Sequence, residues 1–371
     1  MRNKANIKSL AVFAFVTLLS VGASAKSENA VVRLLNSRSS GSLTTYANAA
    51  EEVAEGAHNG NKLYGYVLAL ISREHNAPEA ARIDEDTRKK YLDACRPLLE
   101  KSANEKNNAM AWYLLSLESG NTNLLRRAAE SKNIQAQNAW GTFLVGQAAS
   151  PNMTSNEVST ILSEAFGLFK EVADKDDANG LYNTGMCYWR GLGVNQDKER
   201  AFTYFRNAAA QGHPEAINNI GAFFREGMVV EKNLETSAKW FAKSASYGNP
   251  YGQFNYALAL RRGEGVEVNL PEAARLFRLS AAGGCVEALD AYACALWRGE
   301  GVAKDPKMAF KLFERAAAAG FPPAMENISA CYDKGVGVTA SKEKALEWKI
   351  RSRAARGDRN AQLWLQQKDA K

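Results

Sequence analysis

The sequence predicts an all-α solenoid built from antiparallel helix pairs, on three observations. The first is a fixed period. Gly185, Gly221, Ala257, Ala293 and Ser329 stand 36 residues apart, as do Gly191, Gly227, Gly263, Gly299 and Gly335, and Ala201, Ser237, Ala273, Ala309 and Ala345. A period of this size marks stacked supersecondary units rather than one globular core. The second is the helical spacing of apolar residues inside each period. The third is a glycine-rich loop at the same point of every period, reading R-G-L-G-V, E-G-M-V-V, R-G-E-G-V, R-G-E-G-V and K-G-V-G-V. Each closes one helix before the next opens.

Taken in order, the chain begins with Arg2, Lys4 and Lys8, an uncharged apolar run from Leu10 to Val21, and the small residues Ala23-Ser24-Ala25. This is the pattern of a secretory signal peptide over 1–25, with cleavage expected between Ala25 and Lys26. A membrane span needs about 20 apolar residues, and the run is shorter, so no stable membrane insertion is expected. Residues 26–42 are polar and read as a mobile lead-in. Residues 43–177 read as degenerate tetratricopeptide-like hairpins, with helices over roughly 43–56, 61–74, 84–102, 107–118, 122–132, 134–148 and 156–174. Leu124–Asn133, and Ala165 with Leu168-Phe169, look like worn copies of the later repeat.

Residues 178–357 are five clear repeats. The first helix of each carries the small residue of the Gly185 series with an apolar residue three on: Tyr188, Phe224, Leu260, Leu296 and Tyr332. The second helix opens near Asp197, Pro271, Asp305-Pro306 or Ser341, residue types that cap or start helices. It carries large residues at Tyr204-Phe205, Trp240-Phe241, Leu276-Phe277, Leu312-Phe313 and Trp348, where Lys349 takes the second place. Small residues follow at Ala208-Ala209, Ser244-Ala245, Ser280-Ala281 and Ala316-Ala317. Small opposite large lets two helices approach closely. The first glycine of each loop sits where a helix C-terminus takes a left-handed residue, and Val194, Val230, Val266, Val302 and Val338 can tuck back between the helices. Gly212, Gly248, Gly284, Gly320 and Gly357 end the second helices. Residues 358–371 supply a final helix and tail, with Leu363, Trp364 and Leu365 read as a C-terminal cap.

The 178–213 unit, A-N-G-L-Y-N-T-G-M-C-Y-W-R-G-L-G-V-N-Q-D-K-E-R-A-F-T-Y-F-R-N-A-A-A-Q-G-H, and Ala288–Gly320 resemble the Sel-1-like repeat family, a tetratricopeptide-like class. The resemblance covers the C-terminal half closely and the N-terminal half loosely. It implies a right-handed superhelix and an adaptor role in exported or signalling assemblies. Met228-Val229 and Ser329 depart from the family pattern. Some members bind or hydrolyse β-lactams weakly, so an enzyme acting on β-lactams or peptidoglycan fragments is the alternative from another functional class.

Composition narrows the partners. The formal net charge is +7, and removal of the leader's three cations leaves +4. That is no nucleic-acid footprint. Cys95, Cys187, Cys285, Cys294 and Cys331 are odd in number. Cys285 and Cys294 would lie about 13 Å apart along one helix, too far to bridge, and Cys187 and Cys331 occupy the same position four repeats apart. All five read as small buried packing residues. His58, His75 and His213 share no metal spacing, and His213 belongs to a turn. Ser341-Lys342-Glu343-Lys344 matches S-x-x-K, but no S-D-N or K-T-G accompanies it, so Ser341 reads as a helix cap. The glycine runs close helices rather than follow strands, which excludes a phosphate cradle. No cofactor, metal or catalytic residue is expected.

Two ladders are candidate partner-binding features. Asn183, Asn219, Asn255 and Asn327 share one repeat position, with Ala291 as the fifth rung. Such carboxamides can hydrogen-bond the backbone of an extended peptide, or bond neighbouring helices and hold the repeats in register. Arg190, Glu226, Arg262, Arg298 and Lys334 form the second, flanked by Trp189, Arg225, Arg261 and Trp297. This edge can take an acidic peptide or an anionic polysaccharide with stacking on Trp189 and Trp297, or its cations can simply offset helix dipoles. The resulting expectation is an exported, non-catalytic scaffold that binds a protein partner in the cell envelope, with an anionic polysaccharide as a further alternative.

Overall fold

A computed structural model describes residues 83–369, together with Ala54, Ala57, Tyr66, Leu68 and Ala69. The expected signal peptide, the 26–42 lead-in, the helices over 43–56 and 61–74, His58 and His75 lie outside the described residues, apart from those five positions, which are helical and buried. Among the described residues there is no strand.

The chain divides into two compact units, residues 1–231 and 232–371. The described helices of the first are α1 (Glu85–Lys106), α2 (Ala109–Ser119), α3 (Thr122–Glu130), α4 (Ile134–Ala148), α5 (Ser155–Ala173), α6 (Ala178–Arg190), α7 (Lys198–Ala210) and α8 (Pro214–Glu226). The second holds α9 (Leu234–Ser246), α10 (Pro250–Arg262), α11 (Leu270–Ala282), α12 (Val286–Arg298), α13 (Pro306–Ala318), α14 (Pro322–Lys334), α15 (Lys342–Ala355) and α16 (Arg359–Asp369). Within each unit every helix packs on the next in the chain. This is the all-α repeat architecture that the 36-residue period predicts.

The starts of the second helices are fixed by a ladder of caps. Asp197, Asn233, Asn269, Asp305 and Ser341 each accept, through a side-chain oxygen, the backbone N–H three residues on, at 2.8, 2.8, 3.1, 2.9 and 3.3 Å. Each bond satisfies a helix-end donor that would otherwise have no partner, and is worth about 1 kcal/mol. Sequence reading found three of these caps. It missed Asn233, and at the third repeat it chose Pro271 where Asn269 does the capping.

Packing follows the small-against-large rule. Phe205, Phe241, Phe277 and Phe313 are fully buried. A Cβ on Gly185 would come to 2.8 Å from the Phe205 ring, so the small residue brings that ring close to α6; Ala257 and Ala293 hold the same place in later repeats and are buried. The serines beneath are satisfied: Ser280 Oγ donates to Pro250 O at 2.6 Å and Ser352 Oγ to Pro322 O at 3.1 Å. The same device appears upstream of the clear repeats. A Cβ on Gly141 would lie 2.7 Å from Phe169, so α4 and α5 pack small against large although their connection has no G-x-G. That connection instead ends in a capping box at Thr154 and Glu157.

The loops also join successive hairpins. A Cβ on Gly193, Gly265, Gly301 or Gly337 would overlap the carbonyl of Leu162, within α5, or of Leu234, Leu270 or Pro306, the first residues of α9, α11 and α13. In the second repeat Val229 takes this position with φ 64° and lies exposed. The C-terminal helix differs from its expected packing. Ala361 is the buried residue of α16, while Leu363 and Trp364 are exposed. Ala361 falls at the register of the buried Ala216, Ala288 and Ala324, one residue late because of the insertion before Gly357.

Candidate functional site

The asparagine rungs lie on the first helix of each hairpin and are half-buried. In the first unit, Asn183 Nδ2 on α6 donates to Asn138 Oδ1 on α4 at 3.3 Å, and Asn219 Nδ2 on α8 approaches Met186 Sδ on α6 at 3.8 Å. In the second unit, Asn327 Nδ2 on α14 donates to Asp290 Oδ1 on α12 at 2.8 Å and faces Cys294 Sγ at 3.7 Å. The amide side of each therefore reaches the first helix of the preceding hairpin. Ala291, the missing rung, is buried. The Oδ1 carbonyls of Asn183, Asn219 and Asn327 accept no hydrogen bond among the described residues. A carboxamide has both a donor and an acceptor side. One side sets inter-repeat register and the other is unengaged.

These bonds reveal partners that the sequence did not single out. Asn138 also donates to Asp177 Oδ1 at 3.1 Å, and Asp177 in turn caps α6. Nearby, Gln137, fully buried, donates to Glu171 Oε2, which is also ion-paired to Lys132. The hydrogen bond from Lys132 outweighs the opposing effect of burial and holds the Glu171 carboxyl below its ordinary value. Asp290 behaves oppositely. Burial raises its pKa against the bond from Asn327 and the charge of Arg261. No fixed period marks Asn138 or Asp290, so periodicity could not find them.

The basic edge sits at the last residue of each first helix, before a left-handed glycine C-cap. Arg190, Arg262, Arg298 and Lys334 are exposed. Arg262 and Arg298 each pair with a loop glutamate, Glu264 and Glu300, at 3.4 Å. Both pairs are solvated and each is worth under about 1 kcal/mol. Arg190 and Lys334 enter no ion pair among the described residues, and Glu226 pairs with Arg225. The flanking aromatics are half-buried and structural. Trp189 packs edge-on to Phe223 with centroids 5.3 Å apart, and Trp297 to Phe313 at 6.1 Å. Arg261, at the same repeat position, lays its guanidinium 5.4 Å from the Phe277 centroid. In the third and fourth repeats this position covers the buried phenylalanine of the second helix with a cation or an indole, whereas Trp189 lies against Phe223 on the next first helix.

Of the positions weighed for chemistry, Cys285 Sγ donates to Glu287 Oε2 at 3.3 Å. Ser341 Oγ accepts the Lys344 N–H as a cap. None of the five cysteines is in a disulfide. Burial pushes the thiols of Cys285, Cys294 and Cys331 up to about 11 and that of Cys187 up to about 12, so they stay protonated. His213 stacks on Tyr182 at 4.4 Å and caps α8 through Nδ1, 3.4 Å from the Ala216 nitrogen. Among the described residues no group of three or more His, Cys, Asp and Glu could hold a metal, and no helix is long and apolar enough to cross a membrane.

Comparison with known proteins agrees with this geometry. Residues 178–213, 214–249, 250–285, 286–321 and 322–348 each match the Sel1 repeat family. The crystal structure of a Sel1 repeat protein from Oxalobacter formigenes is similar in fold, with a TM-score of 0.57 and 23% identity, over 67% of this chain and 100% of that one. A protective antigen present in uropathogenic Escherichia coli strains, displaying an SLR fold, is similar with a TM-score of 0.51 and 26% identity, over 84% of this chain and 65% of that one. No curated protein matches the chain.

Proposed function

We propose that this chain, a member of the Sel1 repeat family through its five repeats at 178–348, is a non-catalytic adaptor of the cell envelope that binds an extended segment of a partner protein. Sel1 repeats are protein–protein interaction modules, and the exported location rests on the leader-like pattern at 1–25. The observation that carries the reading is the set of three half-buried asparagine carbonyls, on Asn183, Asn219 and Asn327, that accept no hydrogen bond among the described residues. Their amide sides are fixed by the preceding hairpin, so each carbonyl is held in place and can accept a backbone N–H at little entropic cost. The exposed cations at the helix ends favour an acidic segment and speed its encounter.

The test is capture of envelope proteins by the chain beginning at Lys26, compared with a variant carrying Arg190→Glu, Arg262→Glu, Arg298→Glu and Lys334→Glu. All four side chains are exposed, so folding is expected to be preserved. The retained partner should fall by at least about tenfold. Unchanged retention would make the basic edge purely structural.

A further inference from the structure

The excess positive charge is not spread along the array. Residues 341–371 contain nine Lys and Arg against four Asp and Glu, whereas residues 26–340 contain 35 against 36. The whole excess of the chain after its leader therefore sits on the last hairpin.

The surface there also breaks the repeat pattern. Lys349 occupies the place of the fully buried Phe205, Phe241, Phe277 and Phe313, yet is exposed. Arg353 stands where Ala209 and Ala317 are buried, and is exposed too. Leu346 is 59% exposed where Phe310 is buried. These three residues, at i, i+3 and i+7, form one stripe on α15. On α16, Leu363 and Trp364 are exposed at 47% and 39%. The Lys368 amine lies 5.5 Å over the Trp364 ring and bonds Glu347, the neighbour of Leu346, at 2.5 Å. That bond joins α16 to α15 beside the exposed Trp364. Lys349 and Arg359 enter no ion pair among the described residues, so their charge is free for a partner.

We propose that this cationic, apolar-studded hairpin docks on the surface of a bilayer bearing anionic lipid headgroups. Single leucines and a tryptophan beside long basic side chains suit the headgroup–acyl boundary. The docking is peripheral, distinct from insertion, and independent of the asparagine rungs, so it can fail while the adaptor reading stands.

Co-sedimentation of the chain from Lys26 to Lys371 with vesicles tests it. The chain is expected to pellet with phosphatidylcholine vesicles containing one third phosphatidylglycerol, to lose this binding at high salt, and to ignore pure phosphatidylcholine. Lys349→Gln with Arg359→Gln should weaken partitioning about 25-fold, at roughly fivefold per cation. Leu363→Ser with Trp364→Ser should also release the chain. Lys304→Gln with Lys307→Gln, an equal charge loss on α13 and its approach, should leave binding unchanged. No binding to anionic vesicles, equal loss in the control pair, or retention by immobilised polyglutamate with no vesicle binding would each overturn the proposal.

Discussion

Gly301→Val is expected to destabilise the fold by about 4 kcal/mol, read from urea unfolding followed by circular dichroism. Two costs combine. The residue has φ 71°, a left-handed conformation that costs a β-branched side chain roughly 1–2 kcal/mol. Its Cβ would also overlap the Leu270 carbonyl, which belongs to rigid backbone rather than to a movable side chain. Overpacking of that kind costs about 1–3 kcal/mol. Val229 supplies the internal comparison. It already holds the equivalent place at φ 64° with its side chain in solvent. Val229→Gly should therefore raise stability, by about 0.5 kcal/mol, because relief of the backbone outweighs the greater freedom of glycine in the unfolded chain. A Gly301→Val protein within 1 kcal/mol of wild type would show that the loop does not seat against the preceding hairpin.

Phe313→Ala is expected to cost about 3–5 kcal/mol in the same assay. Its ring is fully buried among Leu296, Leu312, Ala316 and Ile328, and the removed volume leaves a cavity between rigid helices. Leu346→Ala on α15, where the side chain is exposed, should change stability by less than about 0.5 kcal/mol. The contrast matters because both residues lie on the same helix of successive repeats. A small loss at Phe313 would mean that the hairpins are not held by the phenylalanine stack.

The periodic parts of the fold were legible because one physical job recurs every 36 residues. Gly185 opposite Phe205, the left-handed glycine after Arg190, and the caps at Asp197, Asp305 and Ser341 each leave a residue type that cannot be exchanged freely. The hairpin α4–α5 was harder to read. Its loop closes through Thr154 and Glu157 instead of G-x-G, although Gly141 and Phe169 preserve the packing. The α16 helix was read from its large apolar residues, which the structure leaves exposed, because burial there falls to the small Ala361. The basic edge was visible in sequence as a row of cations. Its partial neutralisation by Glu264 and Glu300 was hidden, since a glutamate between two glycines looks like loop filler. The half-use of Asn183 and Asn327 was hidden too, because their partners Asn138 and Asp290 follow no period.

The central claim is that these hairpins have no common core and are stable only through their neighbours. It is tested most directly by urea unfolding of a nested series of chains that start at Ala178 and gain one repeat at a time, to Asp369. A stacked array predicts that the first repeat alone is unfolded and that the unfolding midpoint and its slope rise with each added repeat. A single repeat as stable as the full series would contradict it.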